Sequence, residues 1–309
     1  MVSSWLRARW WLAGAVLAAA SGLILARPPL GLWCRWSARR HGVSPALLAS
    51  VLHAEARGKA SAWRVEASAR LLSGLAPAPD PCALALALGR RRFTRNTLAP
   101  ALLADEIVGG LRRGIRGYDA LGIPYEFAPG DPGCKVTLPP DEEGERVGAS
   151  FARFWRATAR REEGGRRVKA VVLHVTNGTF VSAVTWFQRP GARTSAHYVV
   201  RASDGMVVQM VDERHVAFHD ACFNDESIGI EHEGMTRDGA RWFTEAMYRS
   251  SARLVRDIAA RHGIPLDRGH IVGHDEAPDC SEHEDPGPSW DWAFYGRLLA
   301  DPEEAPRGG

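Results

Sequence analysis

From Val168 onward short apolar strands alternate with helices, and this alternation constrains the fold more than any other property of the chain. Val168-Lys-Ala-Val-Val-Leu-His174 reads as a buried strand and Phe180 to Phe187 as a helix. Ala196 to Arg201, the turn Asp204-Gly205 and Met206 to Val211 make a hairpin. Ser227 to Glu233 is a further strand, and Trp242 to His262 a long amphipathic helix. His270 to Gly273 is a short strand and Trp290 to Leu299 a closing helix. Interleaved strands and helices predict an α/β domain over residues 168–300, with a central mixed β-sheet flanked by helices.

The chain before it differs. Residues 38–122 read as a small α-helical region, because β-branched alternation is nearly absent there. Ser44 caps a helix that has Pro45 at its first position and runs through His53 and Glu55. Trp63 to Leu72, Pro81 to Leu88 and Leu98 to Leu111 are further helical runs. Residues 123–167 are a linker broken by prolines and glycines, with one short helix from Val147 to Arg160 and a solvated junction from Arg160 to Arg167. At the N-terminus, Arg7 and Arg9 precede an apolar run from Trp10 to Ala26. A positive flank before an apolar stretch is an export address. Residues 1–30 are therefore expected to be a signal anchor that meets the membrane, or a cleaved signal peptide. Either places the rest of the chain in the cell envelope, outside the cytoplasmic membrane.

The net charge of +3 comes from scattered arginines. No basic block with interleaved aromatics appears, which argues against a nucleic-acid partner. None of the five cysteines stands in a CxxC pair, so a cysteine zinc cluster is not expected. Cys222 and Cys280 each lie close to a candidate site residue. They are either a disulfide of an exported protein or two separate thiols.

His174 ends an apolar strand, and His274 follows Gly273 at the end of another. Asp285 precedes Pro286-Gly-Pro288, and the prolines stiffen the loop that carries the carboxylate. Two imidazoles and a carboxylate gathered from both ends of one domain suit a catalytic zinc ion, which takes three protein ligands and leaves a position open. Glu231 follows an apolar strand, where a carboxylate is costly to bury without a task or a partner. His232-Glu233 lacks the second histidine of an HExxH protease. His283, two residues before Asp285, is near enough to serve a developing oxyanion. His219 is a candidate for lining the cleft, and His197 for a place there or just behind it.

These pieces resemble the type 2 zinc-dependent N-acetylmuramoyl-L-alanine amidases, the family related to peptidoglycan-recognition proteins. The matching motifs are Leu173-His174-Val-Thr176, Ser195-Ala-His-Tyr198, Ala217-Phe-His219, Ser227-Ile-Gly-Ile-Glu231, Gly273-His274 and His283-Glu-Asp285-Pro-Gly-Pro288, in the family's order. The resemblance implies a zinc site of His174, His274 and Asp285. It implies Glu231 as the carboxylate that activates the attacking water, and His283 as transition-state stabiliser where many members carry Lys. The implied substrate-binding residues are His219 and His197, and the implied partner is peptidoglycan or its muropeptide fragments. Ala196 stands where phage-type members have Tyr, and Asp220-Ala-Cys222 replaces the usual small residue and Gly. The loop after His274 is slightly long, which leaves Cys280 as an alternative third ligand. Relatives that lost a ligand only bind peptidoglycan, so a non-catalytic binding module is the competing reading. Gly42 to Glu55 also faintly resembles the start of a lytic transglycosylase, with Glu55 as acid, against a structural or wall-positioning role for the helices.

Overall fold

The computed structural model describes residues 30–301 except 57–61, 76–79, 94–97, 119–123, 158, 161–164 and 279–281. The expected signal anchor falls outside the described residues. Among them, no helix is long and apolar enough to cross a membrane. Two compact units emerge, one of Met1–Ala76 with Arg113–Gly130, the other of Pro77–Arg112 with Asp131–Gly309.

The first unit holds α1 (Leu30–His41), α2 (Pro45–Ala56), α3 (Ala62–Gly74) and a hairpin of β1 (Ile115–Tyr118) and β2 (Pro124–Phe127). The Ser44 Oγ accepts the Leu47 N–H at 3.3 Å and starts α2 as the sequence predicts. Leu48, Leu52, Val65 and Leu72 form its buried interior. Glu66 ties α3 to α1 through Ser37 (2.6 Å) and His41 (2.7 Å). The hairpin is a departure from the all-helical expectation for this stretch. Its strands are short, and their cross-strand partner residues only meet once the register is set.

The second unit begins with α4 (Pro81–Arg92) and α5 (Ala99–Arg113). The Asp80 side chain caps α4, accepting the Ala83 N–H at 2.8 Å. A Cβ on Gly89 would lie 2.7 Å from the Pro100 Cα, so glycine lets the two helices touch. These helices were expected to belong with the preceding ones. Two ties hold them to the second unit instead. Cys82 is disulfide-bonded to Cys134. Buried Arg201 reaches Asp105 (2.8 Å) and Glu106 (3.3 Å) of α5.

The sheet and its helices follow as β3 (Arg153–Phe154), β4 (Ala170–Val175), α6 (Phe180–Phe187), β5 (Tyr198–Val200), β6 (Val207–Gln209), β7 (Ser227–His232), α7 (Glu245–His262), β8 (Ile271–Gly273) and α8 (Trp292–Ala300). Among the described residues the order is β3-β6-β5-β7-β4-β8. Only β5 and β6 pair antiparallel, so the sheet is mixed, as expected. The predicted helix from Val147 to Arg160 is not formed. Trp155 and Ala157 donate their backbone N–H to Gln209 (3.1 Å) and Met210 (2.7 Å), so the segment runs as an edge strand beside β6. The aromatic spacing of Phe151, Phe154 and Trp155 looked helical because two of them are buried against the sheet.

Period-two alternation sorts the sheet's faces. Val171, Leu173, Ile228, Ile230 and Ile271 pack in one core with Met247, Leu254, Val255 and Ile258 of α7 and Tyr295 and Leu298 of α8. Val172 and Val272 belong to a separate cluster on the other side. His174 and Glu231 alternate onto that second side, and His274 follows Val272 by two residues.

Beside the first core sits a buried carboxylate. Glu213 accepts from Tyr198 Oη (2.5 Å), Arg261 Nη2 (2.6 Å) and His262 Nε2 (2.7 Å). Burial pushes its carboxyl up, but those partners outweigh burial and bring it down from 4.5 to about 2. A depressed carboxyl gives its stabilisation above the unfolded value and loses it as pH falls from about 4.5 towards about 2. Glu213→Ala leaves the partners buried and unpaired, and is expected to cost about 3–5 kcal/mol near neutral pH. Urea titrations of wild type and variant across that acid window check it; parallel stability curves would count against the assignment.

Candidate active site

β4, β7 and β8 run parallel, so their C-terminal ends coincide, which is where open α/β sheets present ligand-binding groups. His174 lies one residue from the end of β4, and Glu231 is its register partner on β7. His274 follows β8 directly. Asp285 arrives on the loop beyond it and is fixed by the Val175 N–H, which donates to Oδ2 at 3.2 Å.

The three expected ligands converge. His174 Nδ1 and His274 Nδ1 are 3.0 Å apart. Asp285 Oδ2 lies 3.3 Å from the first and Oδ1 3.2 Å from the second. All three residues are buried, and their donor atoms fall within 4.8 Å of one another. Two nitrogens and a carboxylate oxygen aimed at one point form a donor set that fits a borderline-soft divalent cation. Asp285 occupies the third position; Cys280, the alternative left open by the sequence, lies outside the described residues. Burial pushes the Asp285 carboxyl up, but hydrogen bonds from His174 and His274 outweigh burial and hold it well below the ordinary range. Burial lowers the His174 imidazole below its ordinary value, against the opposing pull of Asp285. Neutral imidazole is the form that binds metal.

Hydrogen bonds behind His174 set its tautomer. His174 Nε2 lies 3.0 Å from His219 Nδ1, and His219 Nε2 lies 3.4 Å from Ser227 Oγ, which donates to the Phe223 carbonyl at 2.6 Å. Proton order along this chain puts hydrogen on His174 Nε2 and leaves its Nδ1 lone pair free for a cation. Burial and the neighbouring His174 hold the His219 imidazole well below its ordinary value. His219 packs on Gly229, where a Cβ would stand 2.3 Å from its ring. The carbonyl of His174 is pinned too, by His232 Nδ1 at 2.9 Å, and His232 Nε2 meets Ser251 Oγ at 2.7 Å.

Glu231 is half-buried, and its Oε2 is shut from solvent with no hydrogen-bond partner. Burial first, and the Asp285 charge second, raise its carboxyl from 4.5 to about 8. An unpaired carboxylate beside the cluster of His174, His274 and Asp285 is placed to hold or pass a proton. His283 stands at the rim with its side chain 48% exposed, so a ligand can reach it. Its ring stacks on His274 at 3.9 Å, and its Nδ1 is 3.7 Å from Asp285 Oδ1.

Of the two places the sequence left open for His197, the structure gives the one behind the cleft. It is fully buried, accepts the Gly229 N–H at Nδ1 (3.1 Å) and has Nε2 3.1 Å from the His215 carbonyl, so it has no face open to substrate. Burial brings its imidazole down to about 3. It supports the strand that carries Glu231. Arg166, expected in a solvated junction, donates to the His215 carbonyl at 2.7 Å and to the Ser227 carbonyl. Cys222 is disulfide-bonded rather than a free thiol, and Cys280 lies outside the described residues. Cys34 is a buried free thiol.

The family described as N-acetylmuramoyl-L-alanine amidase matches residues 164–288. N-acetylmuramoyl-L-alanine amidase A of Achromobacter lyticus is 36% identical over 149 residues, covering 43% of this chain and 84% of that protein. The 1,6-anhydro-N-acetylmuramyl-L-alanine amidase AmpD of Salmonella typhimurium (strain SL1344) is 36% identical over 118 residues, 35% of this chain and 58% of the relative. A crystal structure of a Se-Met AmpD derivative aligns at 26% identity with a TM-score of 0.42, over 50% of this chain and 98% of that one. With the first of these relatives 36% identical and covered over 84% of its length, the chain belongs to the N-acetylmuramoyl-L-alanine amidase family.

Proposed function

We propose that this chain uses one zinc ion to hydrolyse the amide bond between N-acetylmuramic acid and L-alanine in peptidoglycan or its muropeptide fragments. The observation that carries the reading is the meeting of His174 Nδ1, His274 Nδ1 and the Asp285 carboxylate beside an unpaired Glu231. His174, His274 and Asp285 would hold the ion. When bound, zinc supplies Lewis acidity, which polarises a carbonyl and makes water a stronger nucleophile.

The protein's own groups then divide the proton work. Glu231 Oε2, which no protein donor satisfies, takes the proton of the attacking water and delivers it to the leaving amine nitrogen. His283, at the open rim, donates a hydrogen bond to the oxygen that gains charge as the carbonyl becomes tetrahedral. Asp285 keeps its charge because two imidazoles surround it, and so offsets the charge of the cation. No covalent intermediate is required.

The same reading places the protein outside the cytoplasmic membrane. Its apolar N-terminal run supports export, and a bridge such as Cys82–Cys134 persists in oxidising compartments.

Mass spectrometry of soluble muropeptides treated with the full chain tests the activity. Free stem peptide beginning with L-alanine should appear, vanish after chelation and return with zinc. Intact muropeptide that still binds the protein would leave a receptor in place of an enzyme.

A further inference from the structure

The two imidazoles of the cluster are supported unequally. His174 has His219 behind its Nε2. His274 Nε2 is buried with no hydrogen-bond partner. With Nδ1 turned to the cluster, a neutral His274 carries its hydrogen on Nε2, and that buried N–H needs an acceptor.

An acceptor without a donor directly follows the histidine that backs His174. Asp220 is 4% exposed, and its Oδ2 is buried and makes no hydrogen bond. Its backbone is fixed in place. The Asp220 N–H donates to Asn224 Oδ1 at 2.8 Å, and its carbonyl accepts from the N–H groups of Phe223 (3.0 Å) and Asn224 (2.8 Å). It directly follows His219, whose ring contacts His174. Burial raises the Asp220 carboxyl above its ordinary value, and His274, ahead of His174 and His283, opposes that rise.

We propose that Asp220 is a positioning residue for His274, its carboxylate receiving the Nε2 hydrogen directly or through one ordered water. A carboxylate behind a metal-binding imidazole fixes its tautomer and orientation and raises its basicity. A buried acid without a donor is retained at a cost to the metal-free fold, and serving the loaded site is the return. The inference rests on the zinc reading above.

The test uses the full chain with Asp220→Asn and Asp220→Ala, measuring zinc affinity by chelator competition and thermal melting without metal. Zinc affinity falls by about 10- to 100-fold in Asp220→Ala. It falls less in Asp220→Asn, which keeps an uncharged acceptor. Both metal-free variants melt no lower than wild type, because an unpaired buried charge has been removed. A merely structural role would lower the metal-free melting temperature, and that result overturns the proposal. Unchanged zinc affinity with a raised KM also overturns it and assigns Asp220 to substrate. Failure of the wild type to bind zinc sinks the metal reading as well, whereas equal binding by all three proteins sinks only this inference.

Discussion

Replacing Glu231 with alanine is expected to lower turnover by about two to four powers of ten while leaving zinc content unchanged, the range of a lost general base. The residue sits across the ladder from His174, and its Oε2 has no protein donor. Glu231→Gln should be nearly as inactive, since the amide keeps the shape and cannot take a proton. The pair also has a stability signature. In the metal-free protein the Glu231 carboxyl is raised from 4.5 to about 8, first by burial and then by Asp285. The unfolded chain ionises first, so stability falls as pH rises between those two values. Glu231→Gln removes that slope, and the variant should be the more stable form at the alkaline end. Urea midpoints of the metal-free proteins at about pH 5 and about pH 8 measure it. Near-normal turnover in Glu231→Gln would remove the residue from the mechanism.

Asp285→Ala is expected to abolish activity and to weaken zinc binding by more than about a hundredfold, the upper range seen for merely supporting residues. Its carboxylate is the group that meets both imidazoles. Without it their Nδ1 atoms, 3.0 Å apart, have no anion to offset a cation. Calorimetry separates this from misfolding. Free zinc at a thousandfold above its Kd stabilises a binding-competent fold by about 4 kcal/mol. Wild type should therefore melt higher with zinc, while Asp285→Ala, at the same zinc concentration, should keep no more than about 1.4 kcal/mol of that stabilisation. A rise as large as that of the wild type would show that other side chains hold the ion.

The α/β region was legible in the sequence because its strands are mostly buried runs and its helices carry clear caps. Thr244 accepts the Met247 N–H at the start of α7, and Gly263 ends it at φ 67°. His174 and His274 were legible because each interrupts an apolar strand just where the strand ends. Their supports were not. His219 reads as a cleft residue until its ring is seen 3.0 Å from His174, a contact across 45 residues. Arg201 joins α5 to the sheet through partners 96 and 95 positions away, which no local pattern encodes. Cys82 and Cys134 are separated by 52 residues, and spacing alone does not pair them. The Val147 to Arg160 stretch was misread because an edge strand with two buried aromatics mimics one face of a helix.

Because His174 and Glu231 are opposite one another on neighbouring parallel strands, their separation is a lattice spacing of the sheet and owes nothing to a loop. The proposed metal ligand and the proposed base are therefore spaced by the backbone ladder itself. Variation in the surrounding loops can then retune which stem is accepted without disturbing the chemistry.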